Sequence, residues 1–165
     1  MNLKEFNETS SADLQPHLKA CVSIPAFSHA LINQRPYLNR QDLLETAKAN
    51  IATWSAEEVT EALSQHPRIG EKKAPENLSV VEAENSRQEQ QGVQDSDLST
   101  WESANASYEK QFGHVFLIRA DGRDSAEMLS ELKRRMKNSP QQEELERKQQ
   151  LGEISLLRLE KLVNA

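Results

Sequence analysis

A single cysteine, Cys21, stands among 165 residues, so an internal disulfide, a Cys-x-x-Cys redox pair and a thiolate zinc site all drop out. Cys21 itself reads as a small, buried, apolar residue. Long apolar runs are missing too. Nothing approaches the ~18 apolar residues of a membrane span, and the opening MNLKEFNETS has no apolar signal core. The terminal Val163-Asn164-Ala165 is no peroxisomal tripeptide. A cytoplasmic protein without a membrane partner is the expectation. Positive charge is in deficit, with 20 Lys and Arg against 26 Asp and Glu and a net charge of −6, which argues against a nucleic-acid partner.

Chain breakers and β-formers are also scarce. There are 5 glycines and 6 prolines, aromatics make up 5%, and 19 leucines outnumber the 13 valines and isoleucines together. That balance favours helices over strands. Mean hydropathy is −0.75, yet charges of both signs are interspersed, as is usual for a helical protein. The densest charge, from Lys133 to Lys148, reads as a solvated helical face because its signs mix over so short a span.

Local signals place the helices. Asn39 or Arg40 starts one carrying Leu44, Ala47, Ile51 and Trp54 at helical spacing. Ser55 and Glu58 form a capping box for the next, which runs out at His66 because Pro67 follows. Arg68 to Asn77 reads as loop. Ser79 with Glu82 is a second capping box, for a helix ending near Gly92, and Asp95 or Ser96 caps another that stops at Gly113. The run His114-Val115-Phe116-Leu117-Ile118 is strand-like but alone, so it reads as extended or irregular, and buried. Ser125 opens a helix through Met136, and Ser139-Pro140 opens a long one to about Val163. Shorter helices fall around Leu14–Val22 and Phe27–Gln34. The expected fold is all-α: a single-domain multi-helix bundle over residues 1–165 with a long C-terminal helix.

Three places break this ordinary pattern. In His66-Pro67-Arg68-Ile69-Gly70 an imidazole sits at a helix C-terminus, where the helix dipole favours its cationic form; a plain helix end, its ring bonded to a carbonyl, is the alternative. In Ser86-Arg87-Gln88-Glu89-Gln90, positions 86, 89 and 90 share a helix face and offer a hydroxyl, a carboxylate and an amide. A solvated Glu/Gln-rich surface would look the same. Arg158 interrupts the apolar stripe Leu151, Ile154, Leu162, so it must meet an anion, either a ligand or an internal ion-pair partner. His17, His29 and His114 lack ligand-like spacing, and no H-E-x-x-H, phosphate loop or G-x-S-x-G occurs. No metal site is therefore expected.

Those segments in order, with Phe112-Gly113-x-x-Phe116-Leu117-Ile118 and Leu157-Arg158-Leu159, resemble the signature of the OHCU decarboxylase family. Its members act on 2-oxo-4-hydroxy-4-carboxy-5-ureidoimidazoline, the last step from urate to (S)-allantoin. The resemblance spans about 23–163. It implies a compact all-helical enzyme, free of cofactors and often a homodimer, whose partners are that substrate and product. It makes His66 and Glu89 catalytic, His66 as acid/base and Glu89 as acceptor of substrate N–H groups. Substrate binding falls to Pro67, Ser86, Arg87, Gln88, Glu89 and Gln90, to the segment Phe116, Leu117, Ile118, Arg119 and Ala120, and to Arg158 as charge partner. One departure stands out. Where the family commonly has Phe-Gly-Phe-Pro-Phe, this chain has Phe112-Gly113-His114-Val115-Phe116, and without the proline a less rigid loop is expected. The residues alone leave two other readings open: a non-catalytic helical interaction module, and an enzyme acting on a related ureido or imidazoline ring.

Overall fold

The computed structural model describes residues 1–64, 66–71 and 80–164. Among them are nine α-helices and no strand, as the composition predicts. The chain forms two compact units, residues 1–62 with 152–165, and residues 63–151.

The first unit holds α1 (Leu3–Glu8), α2 (Ser11–Cys21), α3 (Pro25–Asn33), α4 (Arg40–Ala52), most of α5 (Ala56–Leu63) and the last part of α9 (Pro140–Leu162). Asn39 caps α4 as predicted, its side chain accepting from the Asp42 N–H at 2.9 Å. Ser55 and Glu58 make the expected reciprocal capping box on α5, at 3.0 and 3.1 Å. Helix α4 ends at Ala52, so Trp54 lies beyond it rather than on it. There it is buried, edge-on to Phe27 with centroids 5.9 Å apart. Phe6, Leu14, Leu18, Phe27, Leu31, Leu43 and Ala47 are wholly inaccessible, and each large apolar side chain so buried contributes about 1.5–3 kcal/mol. Cys21 is buried among them, as expected. Helix α1 was not anticipated, although Asn2 and Glu5 form a capping box that announces it. Arg40 closes the far end of α9, donating to the carbonyls of Val163 (2.7 Å) and Glu160 (2.9 Å), where a cation also suits the helix dipole.

The second unit contains α6 (Val80–Glu89), a 3-10 turn (Asp95–Asp97), α7 (Leu98–Phe112), α8 (Ser125–Arg135) and the first part of α9. The predicted Ser79 cap and most of the predicted 68–77 loop lie outside the described residues. Gly113 ends α7 in the left-handed conformation, as predicted, its N–H bonded to the Glu109 carbonyl at 2.8 Å. Asp124 rather than Ser125 caps α8. Ser139 accepts from the Gln142 N–H, with Pro140 as the first residue of α9. Ile69, Trp101, Tyr108, Phe116, Ile118, Ala120, Met128 and Leu132 make the core of this unit.

The charged stretch from Lys133 to Lys148 departs from expectation. Arg135, Glu143 and Arg147 are buried, at 1%, 0% and 1% exposure. Glu143 accepts from Arg135 Nε at 2.8 Å and from the Tyr108 hydroxyl at 2.6 Å, while Asn138 donates to its second oxygen at 3.0 Å. The Arg135 guanidinium also lies over the Phe116 ring, 4.5 Å from its centroid. The stretch is therefore divided: Lys133, Arg134 and Lys137 stay exposed as expected, while Arg135, Glu143 and Arg147 turn inward, each paired with a charge of opposite sign.

Candidate active site

The chain leaves α5 through His66, whose backbone N–H still reaches the Leu63 carbonyl at 3.0 Å. The loop that follows is held from two helices. Gln90, just past α6, accepts from the Gly70 N–H at 2.9 Å and donates to the Arg68 carbonyl at 3.4 Å. From α7, Asn105 donates to the Ile69 carbonyl at 3.0 Å, and Glu109 takes the Arg68 guanidinium at 2.7 Å. Gly70 has φ +77°, and a Cβ there would lie 2.9 Å from the Trp101 Cβ. Only glycine both adopts that backbone and permits so close an approach.

A cleft of about 710 Å³ opens between this loop and α6. Its walls include Pro67, Gly70, Ser86, Arg87, Gln90 and Val93. Four residues singled out from the sequence thus meet in one place: Pro67, Ser86, Arg87 and Gln90. His66 precedes Pro67 on one wall and Glu89 precedes Gln90 on the other; both are half-buried, and neither lines this cleft. Gln88 is exposed and donates to Glu84 at 3.0 Å. Arg87 binds the same Glu84, at 2.9 Å through Nε, and holds that carboxyl below the usual range.

The segment Phe116–Ala120 forms neither helix nor strand and is largely buried, and it does not line the cleft. Its path is fixed by side chains in place of the proline. Arg135 Nη1 donates to the Leu117 carbonyl at 2.7 Å, and the Arg119 N–H donates to Gln150 Oε1 at 2.9 Å. His114 stacks on Phe112, with centroids 5.9 Å apart, and meets the edge of Tyr108. Burial lowers its pKa first, and the Arg147 charge lowers it further. Arg158 belongs to the other unit. It is 6% exposed on the stripe of Leu151, Ile154 and Leu159, and its Nη1 lies 3.4 Å from the Ala20 carbonyl.

Sequence reasoning missed the residues that hold these loops: Asn105, Glu109, Arg135 and Gln150. Asn105 had a visible signal, since it interrupts Trp101, Tyr108 and Phe112 on α7 as Arg158 interrupts the stripe on α9.

The OHCU decarboxylase family model matches residues 7–160. The uric acid degradation bifunctional protein TTL of Arabidopsis thaliana is 32% identical over 134 residues, which cover 74% of this chain and 39% of that protein. The chain thus spans about two fifths of the length of the curated relative it matches. A crystal structure of OHCU decarboxylase in the presence of (S)-allantoin superposes with a TM-score of 0.72 at 26% identity, covering 93% of this chain and 98% of the other. A crystal structure of (S)-allantoin synthase gives 0.71 at 20% identity, covering 99% of this chain and 54% of the other. At that identity the second likeness speaks for the fold alone. Among the described residues, no helix is long and apolar enough to cross a membrane.

Proposed function

The chain belongs to the OHCU decarboxylase family, and on that premise we propose that it decarboxylates 2-oxo-4-hydroxy-4-carboxy-5-ureidoimidazoline to (S)-allantoin. The observation that carries the reading is the meeting of Pro67, Ser86, Arg87 and Gln90 around one cleft, with the His66 loop as one wall and the end of α6 as the other.

The substrate carboxylate sits on a carbon next to a ring C=N. When the C–CO₂ bond breaks, its electron pair moves into that imine, so the ring is its own electron sink and the chemistry asks for no carrier from outside. The ring is left as an enol: as its hydroxyl proton departs to form the product carbonyl, a proton is delivered from one face to the former imine carbon, which bears the ureido group, and that sets the S configuration. His66 manages the hydroxyl proton and this return, since an imidazole with pKa near ~6.5 both accepts and gives a proton at neutral pH. Glu89 accepts ureido or ring N–H groups, Ser86 and Arg87 add polar contacts, and Arg158 balances the substrate's charge. Pro67 and the Phe116–Ala120 backbone shape the pocket. Gln90 acts chiefly by holding the loop, because both ends of its amide bond Arg68 and Gly70.

The same reading makes residues 1–165 one functional domain, supported by a family match that runs through both compact units. It also places the protein in the cytoplasm as a homodimer; sedimentation checks the second point. The activity is tested by adding the protein to freshly oxidised urate with the hydrolase of the preceding step and following circular dichroism. Accumulation of (S)-allantoin faster than the spontaneous, racemic reaction is expected. An unchanged rate and a racemic product would remove the proposal.

A further inference from the structure

We propose that Asn105 is a positioning residue for His66, acting through the carbonyl of Ile69. The inference rests on the catalytic role given to His66 above. Asn105 is 5% exposed, and its Nδ2 donates to the Ile69 carbonyl at 3.0 Å. Its Oδ1 is buried and, among the described residues, meets no hydrogen-bond partner. A buried amide satisfied at one end only is a poor choice for stability, because an orphaned acceptor keeps its full desolvation penalty. What it does supply is a fixed point. Ile69 lies three residues after His66, and the intervening Pro67 locks its own φ and restricts the backbone of His66. With so short a connection, the place of the Ile69 carbonyl limits where the His66 backbone, and with it the imidazole, can lie.

The other ties on this loop are weaker anchors. The Arg68–Glu109 pair is 45% and 26% exposed, open to competition from water and salt. The Gln90 amide belongs to a residue beyond the end of α6. Asn105 sits in the middle of α7, one turn after the Trp101 side chain against which Gly70 packs. It is the buried member of the set.

The decisive variant is Asn105→Leu. It exchanges one orphaned acceptor, Oδ1, for another, the Ile69 carbonyl, so the melting temperature should stay within a few degrees of wild type. The hook is gone, however, and misplacing a catalytic group by about 1 Å lowers turnover by as much as ~10²-fold. We expect kcat to fall at least tenfold and KM to hold within about twofold, the pattern of a displaced catalytic group rather than lost binding. The acid limb of the kcat/KM profile should move, as should the pH titration of the His66 ring followed by NMR with ring-labelled histidine.

Unchanged kcat in a folded Asn105→Leu protein would overturn the proposal. So would a loss of activity with the pH profile and the His66 signal both unmoved, which is the mark of a merely structural residue. Asn105→Ala, read in the same ways, stands in if the leucine variant does not fold; failure of both to fold would make Asn105 structural. If wild-type protein leaves the substrate untouched, the proposed function falls. The His66 signal then decides alone: a shift in the variant upholds the positioning role, and coincidence with wild type ends it.

Discussion

Arg135 and Glu143 form an ion pair closed to water, with side chains 2% and 0% exposed. The pair is more than a local contact. Glu143 also takes the Tyr108 hydroxyl, whose pKa is raised well above its ordinary value by burial and then by that carboxylate. Arg135 also holds the Leu117 carbonyl. One salt bridge thereby ties α7, α8, α9 and the Phe116–Ala120 segment together.

Breaking it from one side should be severe. Glu143→Ala leaves a guanidinium buried without its carboxylate, a change that typically costs about 3–5 kcal/mol. Thermal melts should show a drop of roughly 6–20 °C, at ~2–4 °C per kcal/mol for a chain of this size. The double variant Arg135→Met/Glu143→Leu should recover much of that loss, because apolar replacement of both partners is often tolerated. A double variant no better than Glu143→Ala would show that the bond to Leu117, not the charge pair, is what the fold requires.

Gly92 should tolerate no side chain. A Cβ there would lie 2.2 Å from the Arg123 carbonyl oxygen, a backbone atom that cannot rotate away. Gly92→Ala should lose roughly 1–3 kcal/mol, the usual range for a forced backbone shift, measured by urea unfolding. Neighbouring Gln91 and Val93 line the cleft, so turnover should fall along with stability.

His114 should make the protein acid-sensitive in a defined window. Its folded pKa lies below the 6.5 of an ordinary imidazole, through burial and the Arg147 charge, despite opposing pulls from Glu144 and Glu143. The unfolded chain therefore takes up the proton first. Stability is whole above about pH 7 and is lost as pH falls through 6.5 toward the folded value. His114→Phe keeps a ring against Phe112 and should flatten this dependence between pH 7 and 5. The comparison is melting temperature against pH for the two proteins; parallel curves would take His114 out of the effect. The Glu146 carboxyl, held low chiefly by Arg134, adds its own loss only at more acid pH.

Arg158→Lys should preserve the fold and the charge yet lower kcat/KM about tenfold or more. The planar fork grips a carboxylate through two parallel bonds, a geometry an ammonium cannot copy. Arg158→Met separates this role from a structural one. A melting temperature near wild type with activity lost assigns Arg158 to the substrate, whereas a fall as large as that of Glu143→Ala assigns it to the fold.

Much of the architecture was legible because helix ends are written locally. Asn39, Ser55 with Glu58, Gly113 and Ser139-Pro140 all act where their short-range chemistry says they should. Partnerships distant in sequence were not legible. Arg135, Glu143 and Arg147 carry charge, and charge normally faces water, so nothing local marked them as internal. Their spacing did hold a clue, since Glu143, Arg147 and Leu151 follow one another at i, i+4 and lead into the buried stripe of Ile154, Arg158 and Leu159. The site was half legible. The motifs name Pro67, Ser86 and Gln90, which meet at the cleft, but not Asn105, which holds the Ile69 carbonyl, or Gln150, which holds the Arg119 N–H.

The run His114-Val115-Phe116-Leu117-Ile118 has a consequence for the life of the protein outside its native state. A strand in a sheet is guarded by its neighbours' backbones. Here Arg135 holds the Leu117 carbonyl, and the run's continuation at Arg119 is held by Gln150, so the guard consists of side chains on α8 and α9. Once those helices melt, four consecutive β-favouring residues with no proline are free to pair with the same run in another molecule, the composition from which cross-β aggregates grow. Heat denaturation should therefore become less reversible as protein concentration rises, and a lysine or proline placed within 115–118 should restore refolding while weakening the native state.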